Sequence, residues 1–223
     1  MSLIDYSPYS SCVVFIGGCN FRCPYCQNPK LVINVDEQPT LTEDEIFKFL
    51  ETRKEWLDAV VITGGEPTLY KELKPFIESI KSMGYKVKLD TNGTNPELLK
   101  KIMPMLDYIA MDIKAPLDMY DNVTQIKTNT DNIKKSIKLI KTKAKDYEFR
   151  TTIIKDFFKG DDVIKIGEIL KGSKKYTMQQ FRQNMPILDE SYKKVKPYTK
   201  EELEKFKTVL DNYFDEVEIK GTY

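Results

Sequence analysis

Short apolar runs rich in Val and Ile alternate along the chain with segments whose apolar residues recur at a helical period. Most of the runs lack polar alternation, which is typical of parallel strands buried on both faces. The alternation predicts repeated strand and helix units around a parallel sheet, an α/β fold. The candidate strands are residues 13–16, 59–63, 86–90, 108–113, 149–154 and 176–181, with a weaker seventh at 216–219.

Capping signals indicate where several helices begin and end. Residues 42–45 and 199–202 both read Thr-x-x-Glu, the pattern of a capping box, and Asn95-Pro96 places a proline in the first turn of another helix. Gly84 is suited to the left-handed residue that often ends a helix. The helix after residues 42–45 is predicted to bury three apolar side chains. They are Ile46, Phe49 and Leu50.

Length and charge limit the class of protein. The 223 residues, 41% of them hydrophobic, suit one domain spanning residues 1–223. Because 35 Lys and Arg balance 34 Asp and Glu, the net charge of +1 predicts no nucleic acid or membrane partner. No run of about 20 apolar residues and no secretory leader occurs, so we expect a cytoplasmic protein.

The chain contains no histidine. This absence removes the commonest general base and every Ser-His or Cys-His nucleophile. Chemistry must therefore depend on Cys, carboxylates, Lys, Arg, Tyr or a bound cofactor.

Three cysteines, Cys19, Cys23 and Cys26, follow the first predicted strand and the pair Gly17-Gly18. Three thiolates can hold three corners of a cubane 4Fe-4S cluster and leave the fourth iron open to a ligand. The spacing also permits a zinc site completed by a carboxylate or by Cys12.

Two further motifs follow predicted strands. Gly64 and Gly65 end the second strand, where they allow the backbone to lie close to a ligand, and Glu66 can accept hydrogen bonds from an ammonium group. Asp90 follows in Leu-Asp-Thr-Asn-Gly, a sequence that is also typical of an ordinary turn. Asp112 and Lys114 end the fourth strand, so a barrel would bring them to the same mouth as Asp90. They occur in Met-Asp-Ile-Lys.

The Cys-x3-Cys-x2-Cys spacing, with Tyr25 before the last cysteine and Gly-Gly-Glu on the next strand, resembles the radical S-adenosylmethionine (radical SAM) superfamily. The resemblance implies a partial (β/α)6 TIM-like barrel with a 4Fe-4S cluster at the carboxyl ends of the strands. Cys19, Cys23 and Cys26 would bind three irons, and SAM would chelate the fourth. Tyr25 would lie against the adenine. Gly64, Gly65 and Glu66 would contact the amino group of SAM.

The pair of motifs at residues 89–93 and 111–114 resembles activating enzymes of glycyl-radical proteins, such as that of pyruvate formate-lyase. The resemblance implies that Asp90 and Asp112 hold a monovalent cation, Na⁺ or K⁺, beside the SAM carboxylate. Lys114 would contact that carboxylate directly. Arg150 on the fifth strand has two interpretations, a contact with SAM or an ion pair.

Residues 23–29 and 176–182 resemble the barrel-type activating proteins of anaerobic ribonucleoside-triphosphate reductase. The resemblance implies that this glycyl-radical enzyme is the partner and that reduced flavodoxin or ferredoxin donates the electron. Gln27 stands where that group has a histidine. Two alternatives remain open: a radical SAM enzyme for a small molecule or peptide, and a non-catalytic zinc- or cluster-binding module. Residues 183–198 are predicted to form a long loop, suited to a lid or a partner contact.

Overall fold

The computed structural model describes residues 1–221 and contains a single sheet of seven parallel strands in chain order. The strands are β1 (Ser11–Ile16), β2 (Ala59–Gly64), β3 (Lys86–Thr91), β4 (Tyr108–Asp112), β5 (Tyr147–Ile153), β6 (Ser173–Gln180) and β7 (Phe214–Lys220). The helices are α1 (Glu43–Glu51), α2 (Leu73–Ser82), α3 (Pro96–Ile102), α4 (Tyr120–Thr124), α5 (Thr130–Lys143), α6 (Gly160–Leu170) and α7 (Lys200–Leu210).

The predicted α/β fold with a partial TIM-like barrel is confirmed, with seven strands in place of six. The weak segment at 216–219 forms a full strand because it pairs in parallel with β6. The described residues contain no pairing between β1 and β7, so the barrel is open. No helix among residues 1–221 combines the length and apolar character needed to cross a membrane.

The helix caps match the sequence, but one predicted core residue is wrong. Both capping boxes form, and Asn95 accepts a hydrogen bond from the amide of Leu98. Phe49, however, is 43% exposed. Phe47 packs in its place against Phe76, because residues 47 and 50 lie on one face of α1 three positions apart.

Apolar side chains fill both faces of the sheet. The larger core lies between the strands and the helices that cover them. On the opposite face, Tyr6 packs against Ala59 and Val61 of β2. The segment before β1 therefore covers the amino-terminal part of that face, and the carboxyl ends of the strands are left for the site.

Residues 183–198 contain one short 3-10 helix, Glu190–Lys194, and are otherwise irregular, as the sequence predicts. The segment is not detached from the barrel. Ile187 is buried, the amide of Leu188 donates to the carbonyl of Cys26 (3.1 Å), and the amide of Asp189 donates to the carbonyl of Pro24 (2.8 Å). This segment therefore supports the cysteine loop from outside the sheet.

Candidate active site at the carboxyl ends of the strands

One cavity of about 400 Å³ lies at the carboxyl ends of β1 to β6. It brings together ten of the eleven side chains and glycines predicted from the sequence. They are Cys19, Cys23, Tyr25, Cys26, Gly64, Gly65, Asp90, Asp112, Lys114 and Arg150. The predicted residue that does not line the cavity is Glu66. Sequence reasoning missed several polar residues of the lining, among them Thr63, Asn92, Thr152 and Gln179.

The three cysteines are free thiols at one side of the cavity, with Cys23 the most buried. The amide of Phe21 lies 3.4 Å from the Cys19 sulfur and donates to it. Burial raises the pKa of Cys19 and brings that of Cys23 to about 11, although the nearby ammonium of Lys114 acts in the opposite direction. Metal binding requires the thiolate forms, so these thiols would release protons when a cluster is assembled.

The three cysteine thiols fit a cluster in which each ligand binds a different metal ion. Among residues 1–221, no three Cys, Asp or Glu side chains surround a point that one metal ion could fill. A cubane cluster does not require such a point, because each thiolate binds a different iron. Three separate thiols on one loop, with a backbone amide donating to one of them, therefore suit a 4Fe-4S cluster.

Two buried side-chain polar atoms in the lining of the cavity make no hydrogen bond within the described residues. They are the hydroxyl of Tyr25 and Oδ1 of Asp90, and both are buried. Burial raises the pKa of Tyr25, so this phenol is neutral and keeps its proton. A buried donor and a buried acceptor without hydrogen-bond partners fit a ligand that has polar groups, and SAM is such a ligand.

The glycines of the second motif hold β2 against the cysteine loop. Gly64 has φ +127°, a conformation that other residues rarely adopt. The amide of Gly65 donates to the carbonyl of Ile16 (2.9 Å), and the amide of Glu66 donates to that of Gly18 (2.8 Å). A methyl group on Gly65 would lie 2.0 Å from the Gly18 oxygen, so backbone meets backbone here without room for a side chain.

The carboxylate of Glu66 is fully buried and accepts four hydrogen bonds. They come from the amide (3.0 Å) and hydroxyl (2.5 Å) of Thr68, the hydroxyl of Thr91 (2.7 Å) and the amide of Asn92 (2.6 Å). Burial raises the pKa of Glu66, and these hydrogen bonds oppose that shift. Its contact with the SAM amino group stays a prediction. In this structure, the carboxylate joins the end of β2 to the turn after β3.

We expect Glu66→Gln to lower the free energy of unfolding by about 2 kcal/mol, because one buried N–H would then face an amide NH₂ in place of an acceptor. Either orientation of the new amide opposes a backbone donor, that of Thr68 or that of Asn92. Urea unfolding measures the change. The matched control is Glu78→Gln, whose exposed pair with Lys74 on α2 should be worth no more than about 0.5 kcal/mol. Equal losses of unfolding free energy in the two variants would contradict the role of Glu66 in joining the end of β2 to the turn after β3.

A chain of six ion-paired side chains of alternating sign crosses β3, β4 and β5, hereafter the ion-pair chain. In order of contact, it consists of Glu148, Lys88, Asp90, Arg150, Asp112 and Lys114. Arg150 donates from Nε to Asp112 (2.8 Å) and from Nη1 to Asp90 (3.0 Å). Burial alone would raise the pKa of Asp112, but the charges of Arg150 and Lys114 lower it to about 2.

The guanidinium of Arg150 forms ion pairs with both aspartates. Arg150 also lines the cavity, and its contact with SAM stays a prediction. The predicted cation site does not fit Na⁺ or K⁺ in this arrangement, because the guanidinium already lies between the two carboxylates. Lys88 and Glu148 were missed by the sequence reasoning. The available signal was polar alternation along β3 and β5, where Lys88, Asp90, Glu148 and Arg150 recur at every second position.

Gln27, which stands in place of the expected histidine, lines the same cavity. Its side-chain amide donates to the carbonyl of Arg182 at 3.4 Å. This long hydrogen bond links the cysteine loop to the residues that follow β6.

A sequence profile of the radical SAM superfamily matches residues 13–171, a range that contains all eleven predicted site residues. A protein of Methanocaldococcus jannaschii, named as a putative glycyl-radical enzyme activating enzyme, is 34% identical over 233 residues; the match covers 100% of this chain and 95% of that protein. The 7-carboxy-7-deazaguanine synthase of Aquifex aeolicus is 38% identical over 86 residues, 38% of this chain and 36% of the synthase.

A solved structure of similar fold is that of Streptococcus suis SuiB bound to S-adenosylmethionine, with a TM-score of 0.71. The superposition covers 95% of this chain and 50% of SuiB, at 15% sequence identity, so the likeness concerns the fold. The superfamily profile covers more than half of the chain, and the match to the Methanocaldococcus relative covers 95% of that protein. The chain therefore belongs to the radical SAM superfamily, a family of enzymes.

Proposed function

We propose that this protein binds a 4Fe-4S cluster and SAM and generates a glycyl radical on a partner enzyme, the anaerobic ribonucleoside-triphosphate reductase. The observation that carries the proposal is the single cavity shared by the three cysteines and the predicted SAM residues. The name of the Methanocaldococcus relative supports the activating class. The resemblance of residues 23–29 and 176–182 to reductase activating proteins supports the choice of partner.

A bound, reduced cluster would supply one electron to SAM, which would give methionine and a 5′-deoxyadenosyl radical able to take a hydrogen atom from the partner's glycine. The residues of this chain would hold and orient the cluster and SAM. Cys19, Cys23 and Cys26 would hold the cluster, and the ammonium of Lys114 would attract the SAM carboxylate. The backbone of Gly64 and Gly65 would leave room for the SAM amino group.

Electron paramagnetic resonance tests the proposal. The protein is reconstituted with iron and sulfide, reduced anaerobically, and mixed with SAM and the anaerobic ribonucleotide reductase of the same organism. We expect a glycyl-radical signal on the reductase that requires both SAM and the cluster. Cleavage of SAM without any such signal would reject the reductase as partner and leave the superfamily assignment intact.

The second candidate is a radical SAM enzyme that acts on a small molecule or peptide. The partial match to 7-carboxy-7-deazaguanine synthase favours it, although that match covers 38% of this chain. In this case, SAM would be cleaved in proportion to an added small substrate and the reductase would stay unmodified. A non-catalytic zinc module would instead contain one zinc and no sulfide, against about four iron and four sulfide for the enzyme.

Three expectations from the sequence stay predictions within this proposal: flavodoxin or ferredoxin as electron donor, a cytoplasmic location, and the contact of Tyr25 with adenine. A monovalent cation beside the SAM carboxylate is not included, because Arg150 already bridges Asp90 and Asp112.

A further inference from the structure

Arg150 occupies the position between the two aspartates to which the family resemblance assigns a monovalent cation. Asp112 lies opposite Arg150 in the pairing of β4 with β5, and Asp90 lies on the next strand, β3. The guanidinium can therefore reach both carboxylates at once, and it donates one hydrogen bond to each, at 2.8 Å and 3.0 Å. This is the planar, two-point geometry that distinguishes Arg from Lys.

The charged side chains around Arg150 carry no net negative charge that an added cation would neutralise. The ion-pair chain contains three cations and three anions, so its formal charge is zero. All six side chains are mostly buried, with the most exposed, Asp112, at 27%. In the absence of SAM, a further Na⁺ or K⁺ would leave an unpaired positive charge in a region of low dielectric constant, which is unfavourable.

Three of the four carboxylate oxygens of Asp90 and Asp112 accept hydrogen bonds from cationic side chains. Both oxygens of Asp112 accept hydrogen bonds, one from Arg150 and one from Lys114 at 2.9 Å. Of the Asp90 oxygens, one accepts from Arg150, and the other lies 3.6 Å from the ammonium of Lys88. Na⁺ and K⁺ bind through several oxygen ligands, and three of these four oxygens already accept a hydrogen bond from a cationic side chain.

We propose that the guanidinium of Arg150 takes the place of the monovalent cation, so that SAM binding by this protein requires neither Na⁺ nor K⁺. Arg150 is then a positioning residue. It fixes Asp112, and Asp112 in turn holds the ammonium of Lys114 at the cavity, where it would meet the SAM carboxylate. The proposal rests on SAM binding at this cavity, as proposed above, and concerns only how the site is neutralised.

The first experiment measures SAM binding to the cluster-loaded wild-type protein by anaerobic calorimetry. Titrations are run in choline chloride, NaCl and KCl at one ionic strength, so that general screening is constant. We expect the three dissociation constants to agree within about twofold. An affinity that rises about tenfold or more when Na⁺ or K⁺ replaces choline would overturn the proposal.

A second measurement does not depend on SAM. Thallium NMR detects whether Tl⁺, a substitute for K⁺, binds the wild-type protein, and we expect no saturable binding that K⁺ displaces. Displaceable binding that is lost in Asp112→Asn would overturn the proposal. If SAM fails to bind in every salt, the proposed function is contradicted, and the thallium result still decides whether the protein takes a cation.

The variant Arg150→Gln separates a charge role from a packing role. Removal of the guanidinium leaves Asp90 and Asp112 without their shared partner, and a small cation can enter. We expect SAM affinity about tenfold weaker in choline, recovered by KCl or NaCl. A loss that no cation restores would count against the proposal. The matched control is Lys81→Gln, which removes a cation paired with Asp107 and should leave SAM affinity unchanged in all three salts.

Discussion

A Cys23→Ala variant is expected to lose SAM cleavage entirely while the barrel stays folded. Each thiolate of the cysteine loop would hold one iron of the cluster, and alanine offers no ligand in place of Cys23. The backbone of the loop is held independently of that sulfur, by hydrogen bonds from Leu188 to Cys26 and from Asp189 to Pro24. We therefore expect the free energy of unfolding of the cluster-free protein to fall by no more than about 1 kcal/mol, a typical loss for one small buried group.

Three measurements check this expectation: iron and sulfide content after reconstitution, 5′-deoxyadenosine formed from SAM, and thermal unfolding followed by circular dichroism. Cys12→Ala is the matched control, because Cys12 is a partly buried thiol on β1 and does not line the cavity. The control should retain both the cluster and SAM cleavage. If Cys23→Ala forms 5′-deoxyadenosine at the wild-type rate, the assignment of the cluster ligands is wrong.

The positions of the site residues in the fold could be predicted from the sequence because the strands are parallel and follow one another in chain order. Parallel strands in chain order bring every carboxyl end to one edge, so a motif that follows a predicted strand must lie there. Ten residues from β1 to β5 and the loops after them therefore meet at one cavity, although up to 131 positions separate them in the sequence, from Cys19 to Arg150. The strand assignments predicted where the motifs lie, and the resemblance to the radical SAM superfamily implied which of their residues belong to the site.

The ion-pair and hydrogen-bond partners of the buried charges could not be predicted from the sequence in the same way. That Arg150 bridges Asp90 and Asp112 depends on the register of three strands and on the side-chain conformation of one arginine. Glu66 is a similar case, since its four donors belong to Thr68 in a short 3-10 helix, Thr91 at the end of β3 and Asn92 directly after it. A motif identifies which residues meet, but the hydrogen bonds among them follow from tertiary packing.

Local patterns also failed where glycine weakened them. No helix was assigned between the fifth and sixth strands, yet α6 buries Val163, Ile166 and Leu170 at helical spacing. Gly160 and Gly167 lie within this helix and lower its intrinsic propensity. At Gly167, packing explains the residue, because a methyl group there would lie 2.7 Å from the ring of Tyr213.

A Gly65→Ala variant is expected to weaken SAM binding by about tenfold or more, although it adds only one methyl group. That methyl would lie 2.0 Å from the oxygen and 2.6 Å from the carbon of the Gly18 carbonyl. Both atoms belong to the backbone, so no side-chain rotation relieves the overlap, and the chain before Cys19 has to move. The same carbonyl accepts the hydrogen bond from the amide of Glu66, so the displacement also opens the contact between β2 and the cysteine loop.

Calorimetric titration with SAM and iron content after reconstitution measure this effect, and we expect both to fall. Gly160→Ala is the matched control. Gly160 also has a negative φ, and a methyl group on it meets no atom within 4 Å, so the substitution adds the same group without an overlap. Its SAM affinity and iron content should equal those of the wild type. If Gly65→Ala binds SAM as tightly as Gly160→Ala, close backbone contact between the two loops is not what shapes the site.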